Sequence, residues 1–349
     1  NIPMKQINFF AEDNRLDRLS KMGDPLEKVA GAVDFEIFRP TLDTAIPREK
    51  GDKGGRPPMD NMLMFKIMLL QEWYHIADDM TEYLINDRLS FQRFLGLSLG
   101  DKVPDAKTIW LYREMLKNSG KSKELFDMFA ALMEQVGVIT REGSIVDASF
   151  VDVPKQRNNR DENKKIKEGD GEELWQDNEN KRCQKDIDAR WTEKNGEKHF
   201  GYKDHVKVDS DSKMIVDFSV TDAAVHDSQA IVDLIDDKDN VLNADSAYTG
   251  KELHDKIREK NPDIILNIHE KGYRNKPLSE EQKASNKEKS KVRARVEHVF
   301  GHMTNSMGGM TTRVIGIDRT TCVITLKNLA YNLSRWAYLV GVKKAAVSI

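Results

Sequence analysis

The hydrophobic period of the chain changes at Gly143, and that change limits what the chain can fold into. Between Met59 and Gly137, apolar residues recur every three or four positions in "MDNMLMFKIMLLQEWYHI" and "DDMTEYLINDRLSFQRFLGL", the spacing of helices that bury one face. "GSIVDASFVDVP" then sets Ile145, Val146, Phe150 and Val151 around Asp147, which is strand chemistry. Further on, "HFGYKDHVKVDSDSKMIVDFSVT" alternates with period two and turns back at "DSDSK". Its Phe200, Tyr202, Val206 and Val208 fall on one face, with His199, Lys203, His205 and Lys207 on the other. "VHDSQAIVDLI" reads as a short helix capped by Asp227 and Ser228, and "NVLNADSAYTG" and "DIILNIH" read as strands. "TLKNLAYNLSRWAYLVGV" reads as a terminal amphipathic helix. The expected fold class is α/β, with an N-terminal helical domain followed by a mixed-sheet domain.

These patterns divide the chain into an N-terminal segment, 1–55, a helical domain, 56–138, and a second domain, 139–349, with an insertion at 155–198. The Gly/Pro breaker "GDKGGRPP" opens the helical domain. Within it, Pro104 breaks the chain, Asp105 can cap, and Ile109, Leu111, Tyr112 and Leu116 supply the apolar side of the next helix. Short helices joined by tight breaks suit a helix-turn-helix-like module, in which Lys107, Arg113 and Lys117 either meet phosphates or form a solvated face. The insertion has no apolar period, and its charges segregate: 155–167 is mainly basic, and 168–179 holds acids alone. Two readings follow, a mobile solvated loop and a phosphate-contacting arm beside Asp147.

With 349 residues at 39% hydrophobic, the chain can build a sizeable core, and no apolar run is long enough for a membrane span. Two cysteines, Cys183 and Cys322, exclude a disulfide framework and a cysteine-based zinc site, so a reducing, cytoplasmic setting is expected. The "NIP" before Met4 reads as a remnant rather than native sequence. A net charge of −3 means that any nucleic-acid surface must arise from local segregation of charge.

Three carboxylates stand out by position. Asp147 lies within one strand, Asp245 at the end of another, and Glu297 on a helix that carries Arg293 four residues earlier on the same face. An acid in or just beyond an apolar strand is costly to bury unless it is paired, caps a turn or holds a cation. Alone, Asp245 reads as a turn or cap, with Ser246, Tyr248 and Gly250 forming the connection. As a set, three hard-oxygen donors without a cysteine partner suit Mg²⁺ or Mn²⁺, and a pair of such ions suits in-line attack on a phosphodiester. Lys283, Lys287, Lys289, Lys291, Arg293 and Arg295 face only Glu288 and Glu297, the footprint of a nucleic-acid backbone. His298 and His302 have metal-ligand spacing but no third soft ligand, which favours helix-surface or DNA-contacting roles.

The ordered set "IVDASFVDVPKQR", "HFGYKDHVKVD", "VTDAAVHDS", "NADSAYTG" and "RARVEHVFG" resembles the IS5-type insertion-sequence transposases over about residues 4–340. The resemblance implies a DDE enzyme with a ribonuclease H-like catalytic domain, in which Asp147, Asp245 and Glu297 form the acidic triad, hold two Mg²⁺ or Mn²⁺ ions and are assisted by Arg293. It also implies binding to double-stranded DNA at the terminal inverted repeats and at target DNA, followed by strand cleavage and strand transfer by a homodimer or larger assembly. A bacterial, nucleoid-associated location goes with that role. The residues expected to meet DNA are Lys107, Arg113, Lys117, Lys203, His205, Lys289, Lys291, Arg295 and His298. The related signature has a Tyr where this chain has Ser290 and a Lys where it has Thr304. A nuclease of the same fold and a non-catalytic DNA-binding derivative are the alternatives.

Overall fold

The structure, a computed structural model, describes residues 11–47, 58–194, 196–273 and 277–347. Apart from Pro58, the breaker "GDKGGRPP" lies outside these residues. The chain forms two compact units, residues 1–121 with 330–349, and residues 122–329. The sequence boundaries at 138 and 349 differ from this division, because the helix after Lys121 belongs to the second unit and the chain end to the first.

The first unit contains α1 (Ala11–Lys21), α2 (Pro25–Ala32), α3 (Arg39–Ala45), α4 (Asn61–Tyr74), α5 (Asp78–Asp87), α6 (Leu89–Leu95) and α7 (Ala106–Ser119). α4 is its centre. The Asp60 side chain accepts from the backbone N–H groups of Met62 and Leu63 and so starts the helix. Met64, Phe65, Ile67, Met68, Leu69 and Leu70 are all buried, so α4 is apolar almost all round. Asp105 caps α7 as expected, accepting from Thr108 N–H at 2.7 Å, and Gly120 ends it in the left-handed conformation. Ile109, Tyr112 and Leu116 are buried, but Leu111 is 47% exposed beside Trp110. Leu111 therefore belongs to the solvent face of α7 and not to its core face.

The second unit begins with α8 (Ser122–Gln135) and is organised around β1 (Ser144–Asp152). The insertion follows as α9 (Arg160–Glu168), α10 (Glu179–Arg182) and β2 (Arg190–Lys194). Next come β3 (Glu197–Asp209), β4 (Ile215–Asp222), α11 (Asp227–Leu234), β5 (Val241–Ala244), α12 (Lys251–Lys260), β6 (Ile265–Ile268), α13 (Glu280–Asn305) and the start of α14 (Ile317–Val347), whose residues from Ala330 onward belong to the first unit. The sheet order is β2-β3-β1-β5-β6, and β4 also pairs with β3. β1 is antiparallel to β3 and parallel to β5, and β5 is parallel to β6. Three antiparallel strands leading through a central strand into two parallel ones form a ribonuclease H-like sheet, as expected.

Gly201 pairs with Asp152 of β1 on one side and Arg190 of β2 on the other. Its φ is 149°, and a Cβ there would lie 2.2 Å from the Val151 carbonyl oxygen, so this crossing admits only glycine.

The insertion is built rather than loose. Asn159 and Glu162 form a capping box at the start of α9. Glu162 also accepts from Trp175 Nε1 and Lys181 Nζ, and the lysine bond first, then the indole, lowers its pKa to about 2. Asp186 exchanges backbone hydrogen bonds with the Gln156 amide and accepts from the Tyr202 hydroxyl at 2.8 Å, fastening the insertion to β3. Specific polar pairs do here what an apolar stripe does elsewhere, which is why no period marks the segment.

The charged face of β3 is buried as well. Lys203 is 8% exposed and bonds Val225 O and Asp227, while His205 is 1% exposed against Thr221. Burial lowers the His205 pKa to about 4, so the imidazole is neutral. Lys203 and His205, expected among the residues that meet DNA, are therefore buried within the second unit. Lys207, fully buried, lies 2.9 Å from both Asp236 and Asp239. Asp239→Ala should remove about 3–5 kcal/mol of stability by leaving the Lys207 ammonium short of a partner. Urea denaturation measures this, and a loss below about 1 kcal/mol would show that Asp236 alone satisfies the lysine.

Candidate active site

β1 and β5 bring two of the acids together. Ser144 stands opposite Leu242 and Ile145 opposite Asn243, and continuing that register by two residues sets Asp147 opposite Asp245. Asp245 directly follows β5 and keeps extended backbone, with φ −79° and ψ −179°. Residues level with each other on paired strands project from the same face. The Asp245 carboxylate accepts from Ala247 N–H at 2.7 Å, so it also caps the 3-10 turn Ser246–Tyr248. The cap reading and the site reading hold together.

The third element is α13, which packs on β1 and β5. Ser279 and Gln282 form a capping box at its start, and Val296, Val299 and Met303 are its buried side. The lysine-rich stretch before Glu297 is part of this helix. Arg293 Nη2 lies 3.1 Å from Glu297 Oε1 and 3.5 Å from Asp147 Oδ2, so one guanidinium bridges two acids. The Asp147 side chain is 15% exposed and that of Glu297 61%.

Burial raises the Asp147 pKa to about 6, and the charges of Asp245 and Glu297 push the same way against the Ala148 N–H bond and Arg293. Asp147 therefore senses both other acids. Tyr248 adds a feature that the sequence did not mark as functional: it is 1% exposed, and its hydroxyl has no hydrogen-bond partner among the described residues. Burial first, then the charges of Asp147, Asp227 and Asp245, hold that phenol protonated. Its signal in the sequence was an aromatic residue three positions after an acid, read only as part of a turn.

The remaining residues divide by what they already bind. Arg113 makes two hydrogen bonds to the Asp78 carboxylate and Lys117 pairs with Glu114, so both are engaged within the helical unit. Arg295 is held by Ser210 O and Asp211, each at 2.8 Å, and Lys289 by Ile268 O. Lys291 is exposed and, among the described residues, pairs with Glu288 on its own helix, while Lys107 and His298 are exposed. Ser290 bonds His269 Nε2 at 2.9 Å. Among the described residues no group of three His, Cys, Asp or Glu side chains is placed to enclose a metal ion, and His298 and His302 form no such group.

A family model described as "Transposase DDE domain" matches residues 139–333, more than half of the chain. The chain belongs to the DDE transposase family. A second model, "Transposase domain (DUF772)", matches residues 14–115. The transposase is also similar to a solved structure of piggyBac transposase in a synaptic complex with hairpin DNA, at 11% identity and a TM-score of 0.45, covering 94% of this chain and 77% of that one. Membership makes the chain a phosphoryl-transfer enzyme of DNA transposition. No described helix is long and apolar enough to cross a membrane.

In the metal-free transposase, Asp147 should titrate near pH 6, and Arg293→Ala should raise that value by removing a neighbouring cation. Between the ordinary carboxylate range near pH 4 and pH 6, the folded state keeps a proton that the unfolded state has lost. This contribution to stability is therefore complete below pH 4 and lost as the pH rises through 6. Carboxyl-carbon NMR measures the titration, and Asp147→Asn should flatten that part of the stability profile.

Proposed function

We propose that this transposase binds the terminal inverted repeats of an insertion sequence as double-stranded DNA and catalyses strand cleavage and transfer into target DNA. Asp147, Asp245 and Glu297 are its acidic triad in this reading, and it works in the bacterial cytoplasm. The observation that carries it is the β1/β5 register, which, continued by two residues, sets Asp147 level with Asp245 just beyond β5, together with the Arg293 guanidinium that pairs with both Asp147 and Glu297.

The donor chemistry fits Mg²⁺ or Mn²⁺. It consists of oxygens only, with a buried Asp147 whose charge is poorly compensated and a guanidinium standing where positive charge is wanted. Asp147 and Asp245 would share the ions, and Glu297, exposed and held by Arg293, would turn to complete the set. When bound, two such ions polarise the phosphodiester and lower the pKa of the attacking oxygen. The chain's own residues do the rest. The β1/β5 pair fixes the two aspartates on rigid strands, Arg293 orients the scissile phosphate or Glu297, and Lys291 and His298 lie on the same exposed helix to meet the backbone. Lys107 and the other exposed residues of α7 take part in recognising the repeats. Water is the first nucleophile and the freed 3′ hydroxyl the second. Holding two transposon ends together calls for a homodimer or larger assembly.

Asp245→Asn should cut inverted-repeat DNA at least about 100-fold more slowly in Mg²⁺, equal to about 2.7 kcal/mol, with DNA binding unchanged. Full cleavage by that variant would overturn the assignment. Joining of a precut end to target DNA distinguishes a transposase from a nuclease. Arg293→Ala should bind Mn²⁺ more tightly by calorimetry, because the guanidinium no longer competes for Asp147 and Glu297, even as cleavage falls.

A further inference from the structure

The insertion forms one side of a half-open cavity of about 640 Å³ between α9, β2, the end of β4 and the start of α11. That volume is within the range of about 300–1,000 Å³ typical of small-ligand sites. Phe200, 3% exposed, forms part of its wall, and Trp191 packs against it at 5.0 Å while remaining 46% exposed. The indole thus has open surface in a cavity, which suits a planar ring. Around it stand groups with unused hydrogen-bonding capacity. Asp222 spends one carboxylate oxygen on Ala224 N–H, and the Gln229 amide and the Lys167 ammonium have no partner among the described residues. Lys155, paired with no carboxylate among the described residues, holds its ammonium over the Trp191 ring, 5.8 Å from its centroid.

An aromatic surface, an acceptor and an amide lining the same cavity, with Lys167 in that lining and Lys155 at the indole, form the complement of a nucleobase with its phosphate. We propose that this cavity is a subsite for one unpaired nucleotide of a DNA strand. The base stacks on Trp191, its N–H groups donate to Asp222, and its phosphate meets Lys155 or Lys167. Val225, which lines the cavity, accepts from Lys203 through its carbonyl, and Lys203 also binds Asp227 at the start of α11. This inference rests on the proposed action on DNA, but binding at the cavity needs neither metal nor cleavage.

The test is calorimetric titration of the full chain in EDTA with dGMP and with a short guanine-containing single-stranded oligonucleotide. Wild type should bind both, Trp191→Ala should bind each at least about tenfold more weakly, and Trp191→Phe should recover most of the loss. Asp245→Asn should bind as wild type does. Failure of wild type to bind dGMP, or equal binding by Trp191→Ala, overturns the subsite, and binding of dGMP without the oligonucleotide overturns its assignment to a DNA strand. If cleavage survives Asp245→Asn while these titrations succeed, the proposed triad fails and the subsite stands.

Discussion

The parallel pairing of β1 with β5 is the constraint on which the rest of the second unit depends. Parallel strands need a long crossover, and the segment from β1 to β5 supplies one containing the insertion, two antiparallel strands and α11. Backbone hydrogen bonds, not side chains, then determine which residue of β5 stands beside Asp147. A shift of one residue would turn Asp245 to the opposite face and set Ser246 or Ala244 in its place. Leu242 and Ala244 hold the register from below, because they belong with Val146 to an apolar cluster that a slip would expose.

The same sheet shows what alternation along a strand does and does not reveal. The apolar set Phe200, Tyr202, Val206 and Val208 is buried as its period indicates. On the other face Lys203, His205 and Lys207 are buried too, since α11 lies over them and brings Asp227, with Asp236 and Asp239 just beyond, while His199 is only half-buried. Period two separates the faces of a strand, but it cannot say that a second layer covers the polar one. Buried lysines require carboxylates supplied from far along the chain, and no local pattern marks those partners. The strands β1, β3, β4, β5 and β6 were legible from their apolar patterns, whereas their order in the sheet and the folded insertion were not. Its order comes from the Asp186, Glu162 and Asn159 contacts rather than from any apolar stripe.

On α7 the limit is different. Ile109, Tyr112 and Leu116 mark the buried face, and adding Leu111 makes that face too wide by turning it toward Trp110 and Met115, which are exposed. Arg113 and Lys117, which look available on a helical wheel, are neutralised by Asp78 and Glu114. A cation's availability depends on what tertiary contacts bring beside it, and sequence spacing alone shows only the partners within its own helix.

The three acids were legible because each breaks its local rule: two carboxylates at apolar strand positions and one in a basic helical stretch. Their proximity was not legible, since it depends on the β1/β5 register and on α13 crossing both strands. Arg293 connects these two levels. Four residues from Glu297 it would be an ordinary surface pair, worth at most about 0.5 kcal/mol on a helix. Brought over β1, the same side chain also faces a buried aspartate whose charge is unfavourable, so its loss changes the protonation of Asp147 as well as the position of Glu297. A local helix interaction thereby becomes part of the electrostatic balance that any cation entering the site must alter.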